Sequence, residues 1–349
     1  MFNNIILRDT TKEEWYEIRS KIKKRVESTM GSYPTGSDIS NKAEIVKKYE
    51  QNGLTYVEFK YHIIDGIWNN GVCVLPESFC KENEYTAILA VHETNFGPGK
   101  MQVVTEPGNF EQAYGYELAR MGYVIVAVDQ YGFGDSVCPD GPSPGFDLEQ
   151  YLADFMEKYP DWSIDGLRVL QHKKAIDAAQ SFDFVKLKDN FGAIGNSQGG
   201  RGTLFITAFD ERIKCAVVSA GVSPNATNAY RIVKHDRPLN PILSKNMTKD
   251  GRSQWEYEEF IALCAPRAVL FIEPFHDDYN PHTMATISCI YNAFGVYKLL
   301  DVSKKIALYA HGDGHKTIQP VRDLAYGWLH NFLYKDTISN SLGTKCRAF

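Results

Sequence analysis

The first clear pattern in the chain is helical. Apolar residues recur at intervals of three and four near the N-terminus, at Trp15, Ile18, Ile22 and Val26. This spacing places them along one face of a helix over residues 10–29. Thr11 and Glu14 lie three residues apart and match a capping box at its start. The sequence therefore predicts a helical arm within residues 1–50, packed through its apolar face on a larger domain.

Two longer segments follow in which apolar and polar residues alternate. They cover residues 54–64 and 67–76, with Asp65-Gly66 between them. Alternation with a period of two predicts strands, and Asp-Gly is a preferred hairpin turn. The two segments therefore predict an antiparallel hairpin.

Beyond the hairpin, short apolar runs alternate with helical patterns. The apolar runs lie at 86–91, 123–128, 191–194, 215–220, 268–273 and 305–310. The helical patterns lie at 109–121, 164–180, 198–209, 283–300 and 319–334. Runs that are apolar on both faces fit parallel strands covered by helices. We therefore predict an α/β domain over residues 51–335 with a mostly parallel, doubly wound sheet and an antiparallel leading edge, followed by a tail over 336–349.

Two stretches interrupt this alternation. Residues 136–163 are rich in proline, glycine and aromatic residues, and residues 221–262 are long, polar and aromatic. Loops of this length usually have a function or contain small elements of their own. We expect both to be cap insertions over the carboxyl edge of the sheet, where open α/β sheets bind ligands.

Composition and charge narrow the class of partner. Apolar residues make up 44% of the 349 positions, enough for a large core, and the net charge is −5. The charges form no basic stripe, so nucleic acid is not an expected partner. No run approaches the roughly 18 apolar residues of a membrane span. We expect a small molecule as the partner, and self-association into a homo-oligomer stays open.

The cysteines and the N-terminus indicate the compartment. Seven cysteines are an odd number, and they lie at irregular spacings without a CxxC pair or a zinc-ligand pattern. The first residues have neither the basic segment nor the long apolar segment of a signal peptide. The sequence therefore predicts a reducing, cytoplasmic location, no metal and no cofactor.

One pentapeptide carries the pattern of a catalytic serine. Residues 195–199 read G-N-S-Q-G, which fits the G-x-S-x-G turn that lifts a serine hydroxyl above a sheet. An apolar strand precedes Ser197 and an amphipathic helix follows it. A second match is centred on Ser143, but the next residue is Pro144, which has no N–H to donate to an oxyanion. Ser197 is therefore the predicted nucleophile.

A serine nucleophile needs a general base. In proteins with this serine turn the triad residues follow the order serine, acid, histidine along the chain, so the histidine is expected near the C-terminus. The strand at 305–310 leads into H-G-D-G-H, so His311 and His315 compete. His315 follows a flexible glycine-rich turn and is the favoured base, whereas His311 lies close to the strand end and is expected in the core.

The residue that orients the base should follow the preceding strand. Three carboxylates lie there, Glu273, Asp277 and Asp278. Glu273 is at the strand end, where an outward or supporting role is expected. Spacing alone hardly separates Asp277 from Asp278, although adjacent residues in a turn point in different directions.

An oxyanion hole requires two N–H donors. One should come from Gln198, directly after the serine, and the other from the loop H-E-T-N at 92–95, where we expect the N–H of Thr94. His92 is interpreted as a structural brace of this loop rather than as a second base.

With these residues in place, the chain resembles the branch of α/β-hydrolases that contains acetyl xylan esterases, cephalosporin deacetylases and dienelactone hydrolases. The segments that carry the resemblance are V-H-E-T-N at 91–95, GYVIVAVDQYGFGDS at 122–136, GNSQGG at 195–200 and D-E-R-I-K at 210–214. In that group the acidic residue is followed by proline four residues on, which fits Asp277 and Pro281 and excludes Asp278. Glu93 departs from the group, which usually has glycine there, and both insertions are this chain's own.

The resemblance implies a serine esterase that cleaves an acetyl or other short acyl ester, on a carbohydrate or another small metabolite, through an acyl-enzyme and without metal or cofactor. Activity should fall as His315 becomes protonated below neutral pH. Lactonase, thioesterase and peptidase activities use the same triad and stay open.

Two other classes are weighed against this one. A metal hydrolase would use His276, Asp277, Asp278, His311 and His315, but no ligand spacing such as HExxH occurs. A non-catalytic binding protein on the same fold would leave the complete set of triad residues unexplained.

Substrate choice should reside in the insertions and the loops beside them. The aromatic candidates for lining a pocket are Tyr131, Phe133, Phe146, Tyr230 and Trp255. The alternative for each is simple packing of the insertions against the domain.

Overall fold

The computed structural model describes residues 5–6, 9–31, 43–64, 67–95, 97–105, 111–136, 147–234, 239–248 and 252–334. The Asp65-Gly66 turn, Ser143, Phe146 and the tail over 336–349 lie outside these residues. Eleven strands are present in the described ranges: β1 Ala43–Gln51, β2 Leu54–Ile64, β3 Ile67–Leu75, β4 Glu84–Tyr85, β5 Ala87–Val91, β6 Val124–Val128, β7 Lys186–Leu187, β8 Phe191–Asn196, β9 Ile213–Ser219, β10 Ala268–Pro274 and β11 Ile306–His311.

Nine of these strands form one mixed sheet. Their order is β1-β2-β3-β6-β5-β8-β9-β10-β11, while β4 and β7 form a separate two-stranded ribbon. The first three strands are antiparallel to their neighbours, and β6, β5, β8, β9, β10 and β11 run parallel. Because parallel strands end at the same edge, the segments that follow β5, β8, β10 and β11 lie along one side of the sheet.

Helices cover both faces of the sheet. They are α1 Lys12–Met30, α2 Met101–Val104, α3 Tyr114–Arg120, α4 Leu148–Lys158, α5 Ile164–Ser181, α6 Gln198–Phe209, α7 Ala229–Lys234, α8 Pro241–Lys245, α9 Tyr257–Cys264, α10 Thr283–Leu299 and α11 Gln319–Leu333. One apolar cluster joins the sheet to α1, α5, α6, α9 and α10, and a second joins it to α2, α3 and α11. Burial of both faces explains why β5 and β6, in the middle of the parallel part, consist only of apolar residues.

The predicted architecture is confirmed. All six apolar runs contain strands, the hairpin pairs antiparallel, and helix α6 has the predicted bounds of 198–209. Helix α1 begins with both hydrogen bonds of the capping box predicted at Thr11 and Glu14. The helix predicted at 109–121 is shorter within the described residues, where α3 begins at Tyr114.

Strand β1 was not predicted, because its sequence A-E-I-V-K-K-Y-E-Q lacks a buried face. It lies at the end of the sheet and is almost wholly exposed, so nothing selects an alternating pattern. The segment at the C-terminal end of the expected arm is therefore part of the sheet.

The two insertions contain helices in their described parts. Helix α4 lies in the first, and α7, α8 and most of α9 lie in the second. Helix α9 also belongs to the main core, because Phe260, Ile261 and Leu263 are completely buried. The second insertion is thus partly integrated into the domain.

Candidate active site

Ser197 occupies a sharp turn between β8 and α6. Its backbone has φ 55° and ψ −122°, a conformation that residues other than glycine rarely adopt. The N–H of Ser197 donates to the carbonyl of Ser219 at 2.9 Å, and the carbonyl of Ser197 accepts the first helical hydrogen bond, from Arg201. The strained backbone is therefore held from both sides, by β9 and by α6.

The glycines on either side of this turn have no room for a side chain. A Cβ atom on Gly195 would lie 2.4 Å from the carbonyl carbon of Gly199, and one on Gly199 would lie 2.2 Å from the carbonyl oxygen of Val91. The pattern G-x-S-x-G thus reflects the close approach of strand and helix at this site.

The structure brings Asp277 and His315 together. Asp277 follows β10 and is buried, and its Oδ2 lies 2.8 Å from Nδ1 of His315 in the loop after β11. Its other oxygen, Oδ1, accepts hydrogen bonds from the backbone N–H groups of Tyr279 at 2.8 Å and Asn280 at 3.2 Å. Both oxygens of the carboxylate therefore accept hydrogen bonds, and those on Oδ1 hold Oδ2 in its orientation toward His315.

These contacts also set the charge of Asp277. Burial alone would raise the pKa of Asp277, but the hydrogen bond and charge of His315, with the two backbone N–H groups, outweigh it and hold the pKa below its usual value. Asp277 is therefore an anion at neutral pH. Adjacent Asp278 is exposed, and within the described ranges no side-chain hydrogen bond connects it to His315.

Glu273 and His311 lie at the ends of β10 and β11, the paired strands that lead into the loops of Asp277 and His315. Glu273 is buried at the end of β10, and burial together with the charge of Asp277 raises its pKa well above the usual value. His311 ends β11 and is also buried, and burial lowers its pKa although Asp313, at 3.4 Å, opposes this shift. His311 is thus buried, as expected from sequence, and Glu273 is buried rather than directed outward.

Ser197 and His315 stand at the same edge of the sheet. Ser197 follows β8, and His315 follows β11, which runs parallel to it. Gly314 precedes His315 with φ 70°, a conformation that favours glycine. The imidazole also contacts the ring of Tyr279, with 4.9 Å between the ring centroids, and Tyr279 is 71% exposed. Tyr279 was not identified from sequence, where it is one of several aromatic residues near a turn.

The two predicted oxyanion donors lie in adjoining segments. Gln198 is the first residue of α6, where backbone N–H groups have no acceptor within the helix. Thr94 is exposed in the loop after β5, and β5 is the direct neighbour of β8 in the sheet. Helix α6 begins with its N-terminus toward this edge, which favours negative charge there.

His92 is a brace of the Thr94 loop, as predicted. Its Nε2 accepts a hydrogen bond from the N–H of Gln130 at 2.9 Å, and its Nδ1 lies 2.6 Å from the carbonyl of Glu93. Burial lowers the pKa of His92 to about 4, so the ring is neutral at pH 7. With Nδ1 as donor and Nε2 as acceptor, both nitrogens are committed to backbone groups.

A second set of side chains connects the Thr94 loop to the serine turn, and no local sequence pattern predicts this connection. Asn196, the residue before the serine, donates from Nδ2 to Oε2 of Glu93 at 3.1 Å. Gln102 donates to the other oxygen of Glu93 at 3.1 Å, and Asn95 donates to Gln102 at 2.5 Å. Glu93 stood out in sequence only as a departure from the glycine of the resembling family.

The aromatic residues predicted to line a pocket have different environments. Trp255 is 1% exposed, packs against Phe205 and Phe260, and donates from its indole N–H to Thr29 of α1. These are the contacts of a core side chain. Trp255 therefore fits the alternative of packing against the domain and not the prediction that it lines a pocket. Tyr230 on α7 is 72% exposed.

Tyr131 and Phe133 lie in the loop after β6. The ring of Tyr131 stacks on Tyr151 of α4, with 5.3 Å between centroids. Phe133 is buried with its ring edge-on to His92 at 5.8 Å. Phe133 thus packs against His92 at the base of the Thr94 loop, and Tyr131 connects that region to the first insertion.

No group of three or more His, Cys, Asp or Glu side chains in the described ranges is arranged to hold a metal ion. None of the helices described is both long and apolar enough to cross a bilayer.

Comparison with protein-family models gives no match. Among curated proteins, the chain is 24% identical over 276 residues to Putative hydrolase YtaP of Bacillus subtilis (strain 168), covering 76% of this chain and 83% of that protein.

Several solved structures share the fold. A glucuronoyl esterase from Solibacter usitatus superposes with a TM-score of 0.70 at 15% identity, over 94% of this chain and 97% of its own. A putative acetyl xylan esterase from Bacteroides fragilis NCTC 9343 gives a TM-score of 0.62 at 15% identity, over 87% and 77%. Methylesterase BT1017 gives 0.61 at 16% identity over 92% of this chain, which spans 65% of that protein's length. The chain therefore has the α/β-hydrolase fold, and its resemblance to carbohydrate esterases is confirmed at the level of the fold.

Proposed function

We propose that this protein is a serine hydrolase that cleaves a carboxylic ester through an acyl-enzyme, with Ser197 as nucleophile, His315 as base and Asp277 as the group that orients the base. The observation that carries the proposal is the hydrogen bond of 2.8 Å between Asp277 and His315, at the same sheet edge as the strained turn of Ser197. A nucleophile, a base and a third group holding the base is the arrangement that activates a weakly acidic hydroxyl.

In the proposed reaction, neutral His315 accepts the proton of Ser197 while the serine oxygen attacks the ester carbonyl. Asp277 fixes Nδ1 of His315 as the protonated nitrogen, so that Nε2 is free to act as base, and its negative charge stabilises the imidazolium that forms. His315 then returns the proton to the leaving alcohol. Water, activated by the same imidazole, releases the acid and regenerates the serine.

Charge on the tetrahedral intermediate is proposed to be held by the backbone N–H groups of Gln198 and Thr94. The position of Gln198 in the first turn of α6 supports its role, because that N–H is unused by the helix. Each such donor is typically worth about 3 kcal/mol in the transition state.

A short acyl ester, on a carbohydrate or a related small metabolite, is the proposed substrate. The support for a short acyl group is the structural neighbour named as a putative acetyl xylan esterase. The neighbours named as a glucuronoyl esterase and a methylesterase support cleavage of a carboxylic ester more generally. We also propose a cytoplasmic place of action. The five cysteines in the described ranges, at positions 73, 80, 215, 264 and 289, are all free thiols, as expected in a reducing compartment.

The test compares two serines that share one sequence pattern. Ser197→Ala should lower hydrolysis of p-nitrophenyl acetate by at least about 10³-fold and abolish labelling by a fluorophosphonate, because the attacking oxygen is gone. Ser143→Ala, in the other G-x-S-x-G match, should leave both unchanged.

Full turnover by Ser197→Ala would refute the proposal. Inhibition of the wild type by a chelator, together with failure of the fluorophosphonate to label it, would instead favour a metal hydrolase. Failure of the folded wild type both to turn over esters and to be labelled would favour a binding protein.

A further inference from the structure

Glu93 lies between the two segments that the proposed function requires to act together. It precedes Thr94 in the loop after β5, and its carboxylate reaches Asn196, the residue before Ser197 in the neighbouring turn. One side chain therefore joins the proposed source of the second oxyanion donor to the nucleophile turn.

Each oxygen of this carboxylate has its own amide donor. Oε2 accepts from Nδ2 of Asn196 at 3.1 Å, and Oε1 accepts from Nε2 of Gln102 at 3.1 Å. Within the described residues Glu93 makes no ion pair, so amide groups rather than a cation stabilise its charge. Hydrogen bonds to an ionised acceptor are about twice as strong as neutral ones, which suits a fixed spacer.

The connection continues into the backbone of the serine turn. Oδ1 of Asn196 accepts from the hydroxyl of Ser219 at 2.8 Å, and the carbonyl of Ser219 accepts from the N–H of Ser197 at 2.9 Å. Asn196 is 1% exposed, so water cannot readily replace these contacts. The position of the serine turn is thus tied through Asn196 to Glu93.

The loop side is fixed in the same way. Gln102 receives a hydrogen bond from Nδ2 of Asn95 at 2.5 Å, and Oδ1 of Asn95 accepts from the N–H of Gly99 at 2.6 Å. Residues on both sides of Thr94, namely Glu93 and Asn95, are therefore held by one continuous network.

We propose that Glu93 is a positioning residue that sets the separation of the oxyanion donors at Thr94 and Gln198. The inference rests on the proposed function. Two donors must converge on one oxygen atom, and an error of about 1 Å can cost about 100-fold in rate. The carboxylate acts through the backbone that it holds and does not touch the reacting atoms.

The network suggests an exchange experiment. Glu93→Gln retains one acceptor oxygen but turns an amide donor toward another donor, and Asn196→Asp sets two carboxylates against each other. Combining E93Q with N196D restores a matched pair with donor and acceptor exchanged, while the oxygen that accepts from Ser219 and the oxygen that accepts from Gln102 are kept. Each single variant should lower kcat about 10- to 100-fold with KM nearly unchanged, and the double variant should recover to within about fivefold of wild type.

A second readout separates positioning from general loss of structure. Affinity for a trifluoromethyl ketone, whose serine adduct places an oxyanion between the donors, should fall and recover in parallel with kcat/KM. Melting temperature measured on the same four proteins gives their stability independently.

Additive losses in the double variant, or single variants within threefold of wild type, would overturn the inference. If N196D does not fold, the double variant must still exceed E93Q in kcat, and a double variant that also fails to fold would count against the inference. Retained activity in Ser197→Ala would refute the proposed function itself. Loss of activity in Ser197→Ala with an unaffected E93Q would refute only the role of Glu93.

Discussion

At the scale of single residues, Asp277 and Asp278 show that adjacent residues in one turn can differ completely in burial and in hydrogen bonding. Asp277 is buried and accepts from His315, Tyr279 and Asn280, whereas Asp278 is exposed. The chain therefore contains a matched pair for testing the proposed triad.

Asp277→Asn should lower kcat by about 10³- to 10⁴-fold, because an amide that donates to Nδ1 of His315 would stabilise the tautomer that cannot act as base at Nε2. Asp278→Asn should remain within about twofold of wild type. Steady-state hydrolysis of a p-nitrophenyl ester measures both. A larger loss in Asp278→Asn than in Asp277→Asn would contradict the assignment of the acid.

The depressed pKa of Asp277 has its own signature. A carboxylate whose folded pKa lies below the unfolded value stabilises the protein above that unfolded value, and the contribution disappears as pH falls through the folded pKa. Asp277→Asn should therefore lose part of the acid sensitivity of the wild type.

Sequence could predict Ser197 as nucleophile and His315 as base because both predictions rest on local patterns, a glycine-flanked turn and a glycine-rich segment after a strand. It left Asp277 and Asp278 unresolved by spacing, because the direction of a side chain in a turn depends on backbone angles. The pairing of Glu93 with Asn196 joins residues 103 positions apart. No local pattern encodes such a contact.

At the scale of elements, the start of α6 packs against the end of β5 with no space for a side chain between the two backbones. Gly199 lies where a Cβ atom would overlap the carbonyl oxygens of Val91 and His92 at 2.2 and 2.7 Å. Backbone atoms cannot rotate away as a side chain can, so any side chain here must push the helix off the sheet.

Gly199→Ala should therefore destabilise the protein by about 1–3 kcal/mol and lower kcat about 100-fold, because the serine turn moves with the helix. Gly327→Ala is the matched control. Gly327 lies in α11, is exposed and has nothing within 4 Å of its Cβ position, so alanine should stabilise by about 0.5–1 kcal/mol. Urea unfolding and ester hydrolysis measure the stability and kcat of both variants. Equal changes in the two variants would show that β5 and α6 leave room for a side chain at position 199.

Elements were predicted well where both faces are buried and poorly where neither is. Strands such as β5 and β6 are uniformly apolar and were found from sequence, whereas β1 is charged and exposed and was missed. Trp255 was placed in an insertion by its sequence context, yet α9 next to it packs into the core. A boundary between insertion and core depends on packing that local composition does not specify.

At the scale of the whole molecule, a buried acid outside the candidate site should make the free energy of unfolding depend on pH. Glu258 of α9 is 3% exposed and accepts a hydrogen bond from the thiol of Cys289 in α10 at 3.1 Å. Burial raises the pKa of Glu258 to about 7. Between its ordinary value of 4.5 and about 7, the folded protein holds a proton that the unfolded chain has released.

The free energy of unfolding should therefore fall as pH rises through this window and level off above about 7, by up to about 3 kcal/mol for this group alone. Glu258→Gln cannot ionise and should gain stability relative to wild type between pH 5 and pH 8. Urea unfolding at the two pH values measures the change. Glu17→Gln, at an exposed position, should change the free energy of unfolding only slightly at either pH. A stabilisation by Glu258→Gln that is equal at pH 5 and pH 8 would contradict the proposed link between this pKa and stability.

The exposed outer strand β1 bears on fibril formation. Unpaired backbone groups at the end of a sheet are a template on which a strand of another molecule can grow. This one presents Glu44, Lys47, Lys48 and Glu50 within nine residues, and its register with β2 shifts between Ile45 and Lys47. A second copy that paired in parallel register would bring like charges together and meet an irregular hydrogen-bond ladder. The charged sequence that makes β1 hard to predict therefore also opposes in-register growth of fibrils at this edge.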